Sequence, residues 1–383
     1  MAIAVALLSF AVPRGEAAPP PDRVPIAQWK PLPKASKVRV SRQARAVRKR
    51  VLGPRALDPR FVTVSWYGVS SLIVTIKGHL LLLDAWEIVG AHRGYAPIGR
   101  DDLAGLEPEA ILVGHGHFDH AADAGYVAGR TGAAVVGSEE ICDTAKSDAA
   151  TEGLDREFTC AITGTATSPA PGTMQSFRLF EDVAPVRVLQ HIHSATRPPG
   201  PDNPPDPYAP VFDPAPYLEN PNLEPGELTR FLETLDDPQG GAWMYHLSVG
   251  SFTLLIGDSA GPIWESEDVR RALDRFPGCV DVMANAILGF DQPVSGLRDP
   301  RLYVEHAHPR VFLPTHGDAW APAASAGQEQ YRDEWSEQMA GLEHPPQVDF
   351  LVDPEDYLAE RAYRVDARRW RAPMPGSSCA RRR

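Results

Sequence analysis

Cysteine is scarce in this chain: four residues in 383, at positions 142, 160, 279 and 379. No two have the short paired spacing of a zinc ribbon or a redox motif, so a thiolate metal site of that kind is excluded. Cys142 and Cys160 are the pair expected if the chain is exported, with three full connectivities open; the other reading is buried free thiols. Long apolar runs are missing too. MAIAVALLSFAV at the start is too short to cross a bilayer, and no later stretch is apolar enough. Positive charge is outnumbered, 38 Lys and Arg against 50 Asp and Glu, for a net charge of -12. That balance argues against nucleic acid as the main partner, because phosphate binding relies on Lys and Arg. No repeat recurs at a fixed period, and the composition is that of an ordinary globular protein.

The basic residues that exist are unevenly placed. Residues 30–60 carry Lys30, Lys34, Lys37, Arg39, Arg42, Arg45, Arg48, Lys49 and Arg50, and the chain ends Arg381-Arg382-Arg383. We read solvated arms there; a sharper alternative is peripheral contact with an anionic membrane. Residues 1–18, an apolar run followed by small residues, resemble a signal peptide without the usual preceding Lys or Arg. The expectation is an exported protein, periplasmic or secreted, with the cytoplasm as the alternative. Residues 19–60 read as a Pro-rich, basic arm with a short helix, 61–360 as the main folded domain, and 361–383 as a basic tail.

Within the domain, FVTVSWYG, SLIVTIKG and HLLLLDAW predict three successive strands, with Lys77-Gly78 in a tight turn. Strands and helices alternate after Asp101, strands return from Glu157, and alternation resumes after Asp258. Strand blocks followed by alternating strands and helices, twice over, predict an α/β four-layer αββα sandwich. Residues 195–241 break the pattern. They are dense in proline, hold Tyr208, Phe212 and Tyr217, and are too long for a plain connection. A lid over a pocket is the expected role.

The chemistry centres on HGHFDH, residues 115–120, directly after the apolar Ala110-Ile111-Leu112-Val113. Imidazoles and a carboxylate are costly to desolvate unless something compensates them. His115 and His117 alternate on an extended backbone and face the same way. Asp119 and His120 then open a helix. Four ligand-type residues in six, at the end of a buried strand, point to metal binding.

HGHFDH resembles the His-x-His-x-Asp-His motif of the metallo-β-lactamase superfamily. The resemblance implies an αββα fold with further ligands in fixed order, and the chain supplies them at ends of apolar runs: Asp84 in LLLLDAW, His191 or His193 in VRVLQHIHS, Asp258 in TLLIGDSAG and His316 in VFLPTHGDAW. Asp84 is expected to orient a ligand. His115, His117 and His193, with His191 as the alternative, would hold one divalent cation. Asp119, His120 and His316 would hold the other, with Asp258 between them. Two such cations activate a shared water to attack an ester carbonyl or a phosphorus. Asp119 and Asp258 are the expected catalytic carboxylates. Zinc is the expected metal, with manganese and iron open.

VSWYGVSSLIVTIKGHLLLLDAW most resembles the branch of sugar-phosphate lactonases and N-acyl phosphatidylethanolamine phospholipase D enzymes. That branch often reads Gly-His-Ser where this chain has Gly68-Val69-Ser70, so a role resting on that imidazole does not transfer. The expected substrate is a small or lipid-like ester: phosphodiester, lactone or carboxylester. The rival readings are a diiron redox enzyme on the same fold and a non-catalytic metal-binding protein. His79, His246, His306 and His308 have no place in the ligand order and are read as structural or exposed. Asp318 is read as a support for His316 or a turn residue, and Glu139-Glu140 as a helix start.

Overall fold

The computed structural model describes residues 22–88, 96–194, 234, 237–276, 280–289, 292–293, 297–318 and 328–372. The candidate signal peptide, Tyr208, Phe212, Tyr217, Cys279, Cys379 and the final arginines lie outside the described residues.

Three strands begin the first sheet much as the apolar runs dictate: β2 (Phe61–Gly68), β3 (Ser71–Ile76) and β4 (His79–Leu83), after an edge strand β1 (Arg23–Pro25) and helix α1 (Arg42–Val51). The β3–β4 turn uses Lys77 and Gly78, both with positive φ, a backbone twist that suits two-residue hairpins. Then come α2 (Arg100–Gly105), β5 (Ala110–Leu112), α3 (Phe118–Ala121), α4 (Ala124–Thr131), β6 (Ala134–Gly137), α5 (Glu139–Thr151) and β7 (Cys160–Ile162). Ser138 Oγ accepts the Ile141 amide and caps α5, whose first turn carries Glu139 and Glu140. Cys142 on α5 is disulfide-bonded to Cys160 on β7.

The second half supplies β8 (Met174–Phe177), β9 (Val186–His191), β10 (Ala242–Val249), β11 (Phe252–Ile256), α6 (Glu267–Asp274) and β12 (Val282–Ala286). A small hairpin of β13 (Leu288–Gly289) and β14 (Gln292–Pro293) precedes α7 (Arg298–Ala307), β15 (Val311–Thr315), α8 (Arg332–Ala340), β16 (Gln347–Val348) and β17 (Arg361–Arg364). The first sheet runs β1-β7-β6-β5-β4-β3-β2-β17 and the second β16-β15-β12-β11-β10-β9-β8.

The second sheet is buried on both faces, and the two-residue period of a strand sorts its side chains. Tyr245, Leu254, Val282 and Leu313 join the core that contains the first sheet's Val64, Ile73 and Leu82. Their neighbours Met244, Leu255, Met283 and Phe312 pack with Leu273, Val304 and Trp335 of the second sheet's helices. Helix, sheet, sheet, helix is therefore the layer order, as the alternating pattern predicted.

The expected boundaries at 61 and 360 are too narrow. β1 pairs in parallel with β7, so the start of the arm is an edge strand. Helix α1 is docked through buried Arg48, which donates from Nε to Leu106 O and from Nη2 to Glu107 O, both at 2.8 Å. β17 pairs with β2, so the basic tail begins by closing the other sheet edge. Basic composition concealed both: Arg, read as solvating, buries its stem and satisfies helix-end carbonyls. The helix expected to open at Asp119 and His120 is the short α3, and α4 follows it from Ala124. Among the described residues no helix is long and apolar enough to cross a membrane.

Candidate metal centre

Five strands end at one rim of the sandwich. β4 and β5 are parallel neighbours in the first sheet. In the second, β9 runs with β11 because each is antiparallel to β10, and β11, β12 and β15 are parallel. Asp84 follows β4, His115 and His117 follow β5, His193 follows β9, Asp258 follows β11 and His316 follows β15. Carboxyl ends of parallel strands are where open α/β sheets bind ligands.

Three groups of ligand atoms, each within 4.8 Å of one another, arise there: His115, His117 and His193; His115, His120 and Asp258; Asp119, His120 and His316. His115 and His120 share Asp258 between the two outer groups. Asp258 Oδ2 lies 2.8 Å from His115 Nδ1 and 3.5 Å from His120 Nδ1. Asp119 Oδ2 lies 3.4 Å from His120 Nε2 and 3.3 Å from His316 Nε2. His115 Nε2 faces His117 Nδ1 at 3.2 Å, and the His193 ring sits 4.5 Å and 4.7 Å from theirs, centroid to centroid.

Asp84 stands behind this cluster, fully buried. Its Oδ1 accepts the Gly114 amide at 3.0 Å, and its Oδ2 lies 2.9 Å from His120 Nδ1 and 3.1 Å from Ser70 Oγ. Gly114 has no room for a side chain: a Cβ would fall 2.1 Å from Asp258 Cγ. That contact explains why glycine sits between the apolar strand and the first histidine.

The charge pattern fits a cation site. Burial, reinforced by neighbouring imidazoles, holds His115 and His193 well below the ordinary histidine range, so both rings are neutral. Burial would raise the Asp119 carboxyl, but His120 and His316 hold it well below the usual range. Burial also disfavours the charged His120 ring, yet Asp119 and Asp258 push it well above normal. Asp84 is pushed up to about 7 by burial and by Asp258. Three buried carboxylates thus meet imidazoles, one hydroxyl and one amide, with no Lys or Arg among their described partners. Asp119 Oδ1 and Asp258 Oδ1 are buried without a hydrogen-bond partner. Unpartnered buried carboxylate oxygens are costly, and divalent cations are the groups that offset that cost.

Of the two candidates from β9, only His193 joins a ligand group. His191 lies outside: its Nδ1 meets the Tyr303 hydroxyl at 2.7 Å, and burial lowers it to about 4. Every other expected ligand lies in the cluster. Ser70, named in the sequence without a role, reaches His120 Nδ1 at 2.9 Å; a lone serine after a strand gives no signal of that. His79 is structural, as expected, held between Glu109 and Asp182.

The model of the metallo-beta-lactamase superfamily matches residues 64–202. Over 78 residues the chain is 33% identical to a UPF0173 metal-dependent hydrolase of Pyrobaculum neutrophilum, which covers 20% of this chain and 33% of that protein. A UPF0173 metal-dependent hydrolase of Anaeromyxobacter dehalogenans is 41% identical over 86 residues, 22% of this chain and 29% of that protein. The chain therefore spans about a third of the length of these curated relatives. Among solved structures, the metallo hydrolase Igni18 of Ignicoccus hospitalis superposes with a TM-score of 0.47 at 14% identity, over 79% of this chain and 98% of that one. Two mixed sheets between helices, with the matched segment running from β2 of the first to β9 of the second, make this the metallo-β-lactamase fold.

Proposed function

We propose that this chain, with the metallo-β-lactamase fold and a segment matching that superfamily, is a hydrolase that uses two divalent cations. The observation that carries the reading is the pair of ligand groups, His115–His117–His193 and Asp119–His120–His316, joined through Asp258. Cations held there would supply Lewis acidity toward a substrate oxygen and lower the pKa of water. The donor set is all imidazole and carboxylate, which suits zinc, with manganese and iron as alternatives.

The chain's own groups have separable tasks. His115 and His193 are held neutral by burial and offer ring nitrogens beside His117. Asp119 and Asp258 keep one oxygen each free of hydrogen bonds, which leaves acceptors that would hold the cations. Asp84 fixes the Gly114 amide and the His120 ring, so the HGHFDH turn is held from behind.

The substrate class we propose is a phosphodiester, lactone or carboxylester, in line with the resemblance of the β2–β4 region to lactonases and N-acyl phosphatidylethanolamine phospholipase D enzymes. Export is part of the reading. The Cys142–Cys160 disulfide supports it, because such bonds persist in oxidising compartments. Arg42, Arg45 and Lys49, exposed on α1, support peripheral contact with an anionic membrane.

The test is a panel of phosphodiester, lactone and carboxylester substrates assayed with zinc, manganese or iron, before and after chelation. Hydrolysis of one class, lost on chelation, restored by metal and abolished in His117→Ala and Asp258→Ala, is the expected result. Activity that survives both substitutions overturns the reading. Visible colour with stoichiometric iron and no hydrolysis favours the diiron redox alternative.

A further inference from the structure

Val69 is β-branched, yet its φ is 50°, in the left-handed region where such side chains are outliers. Gly68 before it has φ 124°, and a Cβ there would fall 1.8 Å from Ile88 Cδ1. Hydrogen bonds hold the peptide groups of Val69 on both sides. Its amide donates to Asp318 Oδ1 and Oδ2 at 3.1 and 3.0 Å. Its carbonyl accepts the His316 amide at 2.8 Å and Trp66 Nε1 at 2.9 Å. Asp318 is fully buried and also accepts the Tyr357 hydroxyl at 2.5 Å. One residue on, Ser70 Oγ sits 2.9 Å from His120 Nδ1 and 3.1 Å from Asp84 Oδ2.

The same turn therefore grips the backbone of His316 and the ring of His120. Both belong to the Asp119–His120–His316 group, and none of these bonds reaches His115, His117 or His193. Strained backbone persists only where its surroundings over-determine it, and it concentrates at functional sites. His316 itself has φ 65°, so the residue that Val69 holds is also in the left-handed region. With Nδ1 engaged by Ser70 and Asp84, His120 presents Nε2 toward Asp119 and His316. Asp318 acts one step further out, through the Val69 amide.

We propose that Gly68-Val69-Ser70 and Asp318 form a positioning clip that acts chiefly on the Asp119–His120–His316 cation position, gripping His120 and His316 directly and touching the HGHFDH turn otherwise only through Asp84. The proposal rests on the two-cation reading above. Groups that orient metal ligands change affinity by about 10–100-fold when removed.

The experiment is zinc titration of the full chain, by competition with a chromophoric chelator, for wild type, Ser70→Ala, Asp318→Asn and Tyr357→Phe, alongside His117→Ala. Thermal unfolding of the metal-free proteins reports folding. The expected result is two zinc equivalents in wild type, one of them weakened about 10–100-fold in Ser70→Ala and Asp318→Asn, with a smaller loss in Tyr357→Phe. His117→Ala should weaken the other equivalent, so that His117→Ala combined with Ser70→Ala loses both. Wild-type affinity for both equivalents in the Ser70 and Asp318 variants, with one lost in His117→Ala, overturns the clip and leaves the two-cation reading standing. So does an equal fall of both equivalents in Ser70→Ala. Fewer than two equivalents in wild type overturns the two-cation reading and the clip with it. If Asp318→Asn does not fold, Ser70→Ala decides, since it removes one hydroxyl.

Discussion

Gly114 sits where a single carbon atom separates a formed site from a blocked one. An added methyl would meet the Asp258 carboxylate at 2.1 Å, backbone on one side and a buried acid on the other. We expect Gly114→Ala to displace Asp258 and cut kcat/KM by about 100-fold, since small misplacements at a reacting centre cost that much. Steady-state kinetics on the best panel substrate checks it, with unfolding curves to confirm that the variant is folded. His191 and His193 make a second contrast, two residues apart with different work. His193→Ala should remove one zinc equivalent. His191→Phe should keep both and cost about 1–3 kcal/mol, because the buried Tyr303 hydroxyl loses its imidazole partner. Elemental analysis and urea denaturation separate the two outcomes. Sequence could not divide these histidines by alternation, which puts both on one strand face. The strand ends at His191, and only the backbone beyond it carries a ring to His115 and His117.

Three strands leave the ligand-bearing rim through a left-handed residue. Asp84 (φ 58°), Val69 (φ 50°) and His316 (φ 65°) all leave their strands in left-handed conformation at the rim that carries the ligands. The opposite ends are tied differently. His79, at the start of β4, is fully buried, with Nδ1 at 2.7 Å from Glu109 and Nε2 at 2.8 Å from Asp182. Carboxylates only accept, so both ring nitrogens carry protons and the imidazole is charged. Burial disfavours that charge, yet the two acids outweigh it and raise His79 above its ordinary range. A raised folded-state pKa gives stability that is fully present below the unfolded value of about 6.5 and is lost as pH rises through the folded value. His79→Gln should therefore destabilise the protein by about 3 kcal/mol at pH 6 and by less at pH 9. Thermal melts of both proteins at the two pH values measure this; an equal penalty at each contradicts it. The disulfide between α5 and β7 closes a short loop, for which the chain-entropy account gives about 3 kcal/mol. Cys142→Ser should lower stability by about that amount in urea denaturation, and reduction of the wild type should match it.

At the scale of the whole molecule, the layer order and the ligand cluster were legible because each leaves a periodic or local mark. Buried strands of the second sheet alternate between two cores, and HGHFDH compresses four ligand-type residues into one turn. The edges were not legible. β1 is three residues long and β17 four, both flanked by charge, and such short edge strands carry no pattern of their own. The clip was hidden for another reason: Asp318 and Val69 are 249 positions apart, and their contact is visible only once the two sheets are packed. What unites the molecule is that five strand ends from both sheets deliver their side chains to one place. The most direct measurement is an anomalous difference map from crystals of the protein soaked in zinc. The account predicts two peaks, one among His115, His117 and His193 and one among Asp119, His120 and His316, with Asp258 between them. A map without density in either group, or with zinc only at surface carboxylates, would contradict it.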